Sequence, residues 1–296
     1  MNKILFFPLI ILLFLTTTSV VSASEGLSIE QINNLTYEEK DVLLQEQGFS
    51  KEELEKLNLH IKDDLLLNGG QKVESELVIE RSYIDIDGNE YSYEDYSKEE
   101  ISQARTRDLK EFIDELDVSD EMGSFGYDEE VDDIWSGHLT VAKTGETSNH
   151  YIYTVYNDYN YSSRANFTFT DRIANAWQVE LTPRASNGVD VSSWAIAMVS
   201  GELWDRNSFA WEFEPVPYGL DVSYDLSTHS SQNLGFSYDL LAHKDNETHR
   251  TAVYSTYVHP WTPTFFDFTI GAGSISVGGT NLKDVWNLAV YFNIGE

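Results

Sequence analysis

Three histidines lie close together in the stretch "HKDNETHRTAVYSTYVHPW" at residues 243–261, namely His243, His249 and His259. Imidazole nitrogens are common ligands of zinc and copper, so this grouping first suggests a metal site. On an extended strand, however, the ten steps from His249 to His259 span about 33 Å. A zinc ligand must lie within roughly 2 Å of the metal. The three histidines therefore cannot share one metal while this segment is a single strand.

The pair His243 and His249 remains a candidate, because the turn-like sequence "KDNET" between them predicts a β-hairpin. A loop of odd length places the two side chains opposite each other, whereas a loop of even length sends them to opposite faces. Matching of the apolar residues on the two strands favours the odd loop. Two histidines are too few to hold a metal alone. The alternative is a pair of solvated side chains at the end of a hairpin.

Calcium is the more natural metal for so acidic a chain, because it prefers clustered oxygen ligands. The stretch "DIDGNE" offers Asp85, Asp87, Asn89 and Glu90 beside an Asp-Gly turn. It lacks the twelve-residue pattern of an EF-hand loop. An Asp-Gly pair also forms a two-residue hairpin turn without any metal. A calcium site and an empty hairpin are thus the two interpretations of these residues, and the sequence identifies no other cofactor.

Catalytic motifs are absent from the sequence: it has no GxSxG, no HExxH and no glycine-rich phosphate loop. Glu212 and Glu214 in "WEFEP" share one face of a strand about 7 Å apart, which would suit a glycosidase pair. With 50 acidic residues in the chain, however, such spacing also arises by chance. Trp204, Trp211 and Tyr218 nearby would form either a sugar-stacking platform or part of the core. We therefore predict no catalytic residue.

The elements that must position these side chains are short strands. From Trp135 onward, runs such as "HYIYTVY", "AWQVEL" and "WNLAVYF" are rich in aromatic and β-branched residues and are separated by Gly, Asn, Asp and Ser. No long helical pattern lies between them. This predicts a mainly β protein with a C-terminal antiparallel β-sandwich or jelly roll at residues 135–296. A closed barrel is the alternative.

The residues before Trp135 divide into three predicted segments. Residues 1–23 have the basic start, apolar run and small cleavage-site residues of a secretory signal peptide. Residues 24–70 contain two capping boxes, Thr36 with Glu39 and Ser50 with Glu53, and predict a short helical hairpin. Residues 71–134 predict an acidic hairpin, a helix and a solvated linker at 117–133, where we place the main domain boundary. Residues 24–134 could alternatively be a removable pro-region.

The net charge of −31 limits the classes of partner. Residues 71–134 carry 22 acidic and six basic side chains, so about half of the net charge lies there. Nucleic acid is excluded as a partner, because its binding depends on Lys and Arg contacts to phosphates. Attraction to an anionic membrane surface is disfavoured for the same reason. The chain has no cysteine and, after the signal, no apolar run that could span a membrane.

The signal peptide, the acidic helical segment "GFSKEELEKL" and the tail "VYSTYVHPW" together resemble secreted proteins of Gram-positive bacteria with no assigned function. The resemblance covers most of the chain loosely and implies a secreted or extracellular location. No catalytic residue can be carried over from it.

These observations predict an exported, non-enzymatic protein that acts as a binding or interaction module for a protein or glycan. Two alternatives stay open. A secreted polysaccharide hydrolase would use carboxylates such as Glu212 and Glu214. A membrane-active, toxin-like β protein would use strands such as "RANFTFT" at residues 164–170, in which polar and apolar residues alternate.

Overall fold

A computed structural model describes residues 26–115, 135–161, 170–185, 189–199, 202–205, 211–225, 231–262, 266–279 and 282–296. The predicted signal peptide at 1–23 and the predicted linker at 117–133 lie outside the described residues. So does most of the "RANFTFT" stretch.

Four short helices form the first part of the described chain. They are α1 (Ile29–Asn33), α2 (Tyr37–Glu46), α3 (Lys51–Lys56) and α4 (Leu59–Asn68). The two predicted capping boxes are confirmed: Thr36 caps α2 and Ser50 caps α3, each with the reciprocal glutamate contact. The Asn58 side chain caps α4. These helices bury an apolar stripe against the outer face of a β-sheet, where they meet Ala142, Tyr156 and Trp194.

The cap of α3 provides a local test of how these helices are stabilised. Replacing Ser50 by Ala removes the acceptor for the Glu53 N–H, which lies 3.2 Å from the Ser50 hydroxyl. We expect a loss of about 1 kcal/mol in the free energy of unfolding. Urea denaturation measures this loss, with Lys51→Ala as the control. The Lys51–Glu55 ion pair is exposed and 3.8 Å long, so removing it should cost much less.

Two antiparallel sheets follow. The first has the strand order β1-β4-β5-β12-β8-β9, with β7 paired to β12. Its strands are β1 (Gln71–Lys72), β4 (Trp135–Glu146), β5 (His150–Tyr161), β7 (Leu181–Pro183), β8 (Val191–Val199), β9 (Glu202–Asp205) and β12 (Ser231–His243).

The second sheet has the order β10-β11-β6-β13-β16-β2-β3. Its strands are β2 (Ser75–Ile84), β3 (Glu90–Ser92), β6 (Thr170–Trp177), β10 (Trp211–Val216), β11 (Gly219–Asp225), β13 (Arg250–Pro260) and β16 (Lys283–Asn293). A separate hairpin, β14 (Phe268–Gly271) with β15 (Ser274–Val277), packs near β6 and β13.

The core lies between the two sheets. From the first sheet, alternate side chains of β5 and β12 point into this core, for example Tyr153 and Phe236. They meet alternate side chains of β6, β13 and β16 in the second sheet, for example Ile173, Tyr257 and Trp286. All five are buried. The predicted mainly β fold with an antiparallel sandwich and helices in the N-terminal part is therefore confirmed.

The acidic segment contributes directly to this sandwich. Strand β2 pairs with β16 over ten positions, from Ser75 opposite Phe292 to Ile84 opposite Lys283. Helix α5 (Lys98–Glu115) packs beside it and buries Ile101. Residues on both sides of the predicted boundary at 117–133 thus share one sheet, which the sequence division did not anticipate.

Two predicted hairpins differ in the structure. The two-residue turn expected at Asp87-Gly88 is wrong: Ile84 pairs with Glu90, which leaves a five-residue loop. The Asp85 carboxylate holds this loop by accepting the backbone N–H groups of Asp87 and Asn89.

The hairpin expected around "KDNET" is also wrong, because β12 and β13 lie in different sheets. A short 3-10 turn at Lys244–Asn246 carries the chain from one sheet to the other. The apolar faces of the two strands meet across the core and not side by side, so matching their apolar residues gave the wrong pairing. Among the described residues, no helix is long and apolar enough to cross a membrane.

Candidate functional site

A cleft of about 640 Å³ lies where the helical segment meets the outer face of the first sheet. The junction of α3 and α4 forms one wall, and strand β2 contributes Leu77 and Ile79 at the side. Polar residues of three neighbouring strands form the floor: Ser136 and His138 of β4, Asp158 and Asn160 of β5, and Asn233 of β12. We call this the Asp158 cleft.

Asp158 is the buried carboxyl group of this cleft and is only 4% exposed. Its Oδ1 accepts hydrogen bonds from the amide Nδ2 atoms of Asn58 and Asn233, each at 2.8 Å. Burial raises the pKa of Asp158 to about 6, although these two amides act in the opposite direction. A carboxyl group that changes charge this close to neutral pH is a frequent mark of a functional site.

The two amides are held in place by their own oxygen atoms. The Asn58 Oδ1 accepts the Ile61 N–H at 2.9 Å as the cap of α4, so its Nδ2 is directed to Asp158. The Asn233 Oδ1 accepts the indole N–H of Trp194 at 3.2 Å. A helix cap and a buried tryptophan thus fix the orientation of the hydrogen-bonding groups, which is the preorganisation that ligand binding requires.

His138 is directly opposite Asp158 in the β4–β5 register. Opposed side chains on one sheet face have Cβ atoms about 5 Å apart, so these two groups are neighbours. Burial lowers the pKa of His138 to about 4, and the positive charges of Lys56 and Lys72 add to this, against the opposite effect of Glu53. At neutral pH the cleft therefore offers a neutral imidazole beside a carboxylate and two amides.

Sequence reasoning did not select Asp158, His138, Asn58 or Asn233. The signal available was the even-numbered polar residues in the otherwise aromatic strand "HYIYTVYNDYNY". The three-residue turn between β4 and β5 predicts that these strands pair, but a register shift between Lys143 and Gly145 is needed to bring His138 opposite Asp158, and the turn alone does not indicate it. Nothing in the sequence indicates that Asn58 and Asn233, distant along the chain, meet the same carboxyl group.

The predicted calcium residues are partly brought together. Asp85 accepts hydrogen bonds from the Asn89 side chain at 2.9 Å and the Tyr91 hydroxyl at 3.2 Å, besides the loop N–H groups. Burial favours the protonated form of Asp85, but these donors outweigh it and lower the pKa. Asp87 contributes its backbone N–H to this arrangement, and not its carboxylate. Within the described ranges, no group of three or more His, Asp or Glu side chains is arranged to hold a metal.

The histidines of the opening stretch have three different environments. His243 packs edge-on against His150 at 4.9 Å, and its Nδ1 accepts the Asp245 N–H at 3.2 Å. His249 is exposed in the turn before β13. His259 is buried inside the sandwich, with Nδ1 2.8 Å from Asp171 Oδ1.

The predicted carboxylate pair lies on an edge strand. Glu212 and Glu214 are both exposed on β10, which pairs only with β11 in the described sheet. Tyr218 is 41% exposed at the β10–β11 turn. The side chains of Trp204 and Trp211 lie outside the described part of the chain.

No protein-family model and no curated protein matches this chain. Among solved structures, this chain is similar to the collagen-binding domain of the Erysipelothrix rhusiopathiae surface protein RspB. The two sequences are 12% identical, the TM-score is 0.30, and the match covers 52% of this chain and 48% of the RspB domain chain. The T6 backbone pilin of Streptococcus pyogenes is 12% identical with a TM-score of 0.27, over 43% and 29%.

The membrane-inserted NetB toxin of Clostridium perfringens is 10% identical with a TM-score of 0.24, over 54% of this chain and 90% of the toxin. This chain thus spans about half or less of the adhesin and pilin chains named above. The sandwich assignment depends on the strand pairing and the shared core, and not on these similarities.

The two perturbed groups of the cleft have opposite effects on stability as the pH changes. The raised pKa of Asp158 adds stability that is complete below its unfolded pKa near 4 and is lost as the pH rises through about 6. The lowered pKa of His138 adds stability that is present above pH ~6.5 and is lost as the pH falls through about 4. The two contributions largely cancel between these limits.

We therefore expect the free energy of unfolding of the Asp158→Asn variant to fall by about 2 kcal/mol more than that of the parent protein when the pH is lowered from 7 to 4.5. Over the same pH range, the free energy of unfolding of the His138→Gln variant should rise by a similar amount relative to that of the parent protein. Urea unfolding at five pH values measures both slopes. Parallel curves for the parent and both variants would contradict the assigned shifts, and Glu212→Gln on the exposed edge strand is the control.

Proposed function

We propose that this chain is an exported binding module whose Asp158 cleft takes up an uncharged, hydroxyl-rich ligand, a saccharide of a glycan. The observation that supports this most is the fixed Asn58–Asp158–Asn233 arrangement beside a neutral imidazole. Because both amides already donate to groups of the protein, they orient the Asp158 carboxylate, and this carboxylate and the His138 imidazole are the groups that would bind ligand hydroxyls. Leu77 and Ile79 offer an apolar surface to the C–H face of a sugar ring. Ligand sites commonly combine such an apolar wall with a few oriented polar groups.

The charges around the cleft also favour a neutral ligand. An anion would meet the Asp158 carboxylate and the strongly negative protein as a whole. A cation would meet Lys56 at the rim and would have to share Asp158 with two amide donors that already bind it. A neutral saccharide requires neither group to change its charge.

A hydrolase is the second candidate, because a carboxyl group with a pKa of about 6 can serve as a general acid. Glycoside hydrolysis usually needs a second carboxyl group across the scissile bond. Glu55 also lines the cleft, but it is exposed and lies 3.8 Å from Lys51. The binding module is the simpler proposal, since it needs only the groups that the structure holds in place.

The test is binding of residues 24–296 to a glycan array, followed by titration calorimetry with the best oligosaccharide. We expect Asp158→Asn and Asn233→Ala to weaken binding at least tenfold, because each removes a charge-assisted or fixed hydrogen bond. Glu212→Gln is the matched carboxylate-to-amide control and should bind like the parent. Absence of glycan binding would refute the proposal. Cleavage of the bound glycan that stops in Asp158→Asn would favour the hydrolase.

A further inference from the structure

A second concave surface lies on the opposite side of strand β2 from the Asp158 cleft. It is a groove of about 280 Å³ between the β14–β15 hairpin and the outer face of β13, β16 and β2. Leu77 and Ile79 of β2 line the Asp158 cleft, whereas Val78 and Glu80 line this groove. The alternation of side chains along one strand thus separates the two surfaces.

The floor of the groove consists of two neighbouring cross-strand rows. Thr256, Asn287 and Glu80 stand opposite one another on β13, β16 and β2 and form a polar row. Two residues along each strand, Tyr254, Ala289 and Val78 form an apolar row. A polar row beside an apolar row complements a sugar ring. The ring carries hydroxyls at its rim and C–H groups on its face.

The polar row has hydrogen-bonding capacity left for a ligand. The buried Thr256 hydroxyl donates to Asn287 Oδ1 at 2.8 Å, which fixes the amide and leaves its Nδ2 donor unused within the described residues. The Glu80 carboxylate is exposed, and the described side chains include neither a hydrogen-bond donor nor an ion-pair partner for it. A fixed donor and a free acceptor therefore stand side by side in one row.

Two packed tyrosine rings form the aromatic wall of the groove. The rings of Tyr254 and Tyr291 meet at 86° with centroids 6.0 Å apart, and the Arg250 guanidinium lies 5.2 Å from the Tyr291 ring centroid. The hairpin that closes the groove is anchored by the Gly273 N–H, which donates to the Trp177 carbonyl at 3.0 Å. Gly273 has φ of 68°, a conformation that glycine adopts without strain.

We infer that this groove is a second saccharide site, which takes one neutral sugar ring with its C–H face over Tyr254 and Ala289 and its hydroxyls on Asn287 and Glu80. Glu80 disfavours an anionic ligand, and the Arg250 guanidinium beside the aromatic wall is already paired with Glu76. The volume suits a single ring. With a site on each side of β2, one molecule would bind two glycan segments at once. The inference does not depend on the Asp158 cleft.

Saturation-transfer NMR of residues 24–296 with glucose, galactose, mannose and N-acetylglucosamine tests this site. Ala289→Leu fills the apolar row without removing a hydrogen bond, and we expect it to abolish the transfer signal of the sugar that binds. Glu80→Gln, an exposed change, should weaken that sugar at least threefold. Each variant is made in the Asp158→Asn background, so that sugar bound in the cleft does not contribute to the signal.

The opposite results would overturn the inference. In the Asp158→Asn background, these results are the absence of a transfer signal from all four sugars, or a signal that Ala289→Leu leaves intact. The melting temperature of each variant shows whether it is folded. If Ala289→Leu does not fold, Glu80→Gln decides, and its failure to weaken the sugar overturns the site.

Discussion

Replacing Arg105 by Ala should destabilise the protein by about 3–5 kcal/mol, because it leaves the Asp284 carboxylate buried without its cationic partner. Arg105 and Asp284 are each 1% exposed, and their closest atoms are 2.8 Å apart. The loss of one partner of a buried ion pair costs far more than the loss of a surface pair, since the remaining charge keeps its desolvation penalty.

The surroundings of Arg105 add to this cost. Its guanidinium lies 4.6 Å from the Trp261 ring centroid and donates to the Tyr93 hydroxyl at 3.0 Å. The indole N–H of Trp261 donates to the other oxygen of Asp284 at 2.9 Å. Helix α5 is thus attached to strand β16 by one network of buried groups. Its disruption removes the packing of the helix as well as the ion pair.

Urea unfolding at pH 7 measures the effect, with Arg250→Ala as the matched control. Arg250 and Glu76 also lie 2.8 Å apart, but they are 63% and 66% exposed. We expect the control to lose at most about 1 kcal/mol. The double variant Arg105→Met with Asp284→Leu should recover much of the lost stability, because it removes both buried charges. Equal losses for Arg105→Ala and Arg250→Ala would show that the buried pair has no special role.

Local features of the sequence predicted local structure well. The capping boxes at Thr36 and Ser50 depend on residues three positions apart, and both form as expected. The alternating aromatic runs predicted a sandwich, because a strand with one buried face has a period of two whatever its neighbours are. Both inferences needed information from only a few adjacent residues.

Pairing between distant strands was not accessible in the same way. Strands β12 and β13 are consecutive and apolar, so their sequences fit a hairpin as well as they fit two facing sheets. The loop at 85–89 was missed because the Asp85 carboxylate, and not the Asp-Gly dipeptide, determines its length. The Asp158 cleft combines a helix cap with three strands. Its residues acquire a common role only once the helices pack on the sheet.

Residues 135–296 alone should not form a stable domain, although the sequence by itself predicts a sandwich over that range. Without β2, strand β16 loses ten paired positions and becomes an exposed edge of the second sheet. The Arg81 guanidinium, 4.9 Å from the Trp286 ring centroid, is lost with it. Asp284 would also be left in the interior without Arg105. This also argues against the removal of residues 24–134 as a pro-region.

Circular dichroism melts of three fragments test this expectation. Residues 24–296 and 71–296 should both unfold cooperatively, the shorter one at a lower temperature because Tyr156 and Trp194 lose the cover of the helices. Residues 135–296 should show no cooperative transition. A cooperative melt of 135–296 at the midpoint of 71–296 would mean that β2 and α5 are accessory. The acidic segment would then be a candidate for removal, although it supplies two of the seven strands of the second sheet, β2 and β3, and the helix α5 that packs beside them.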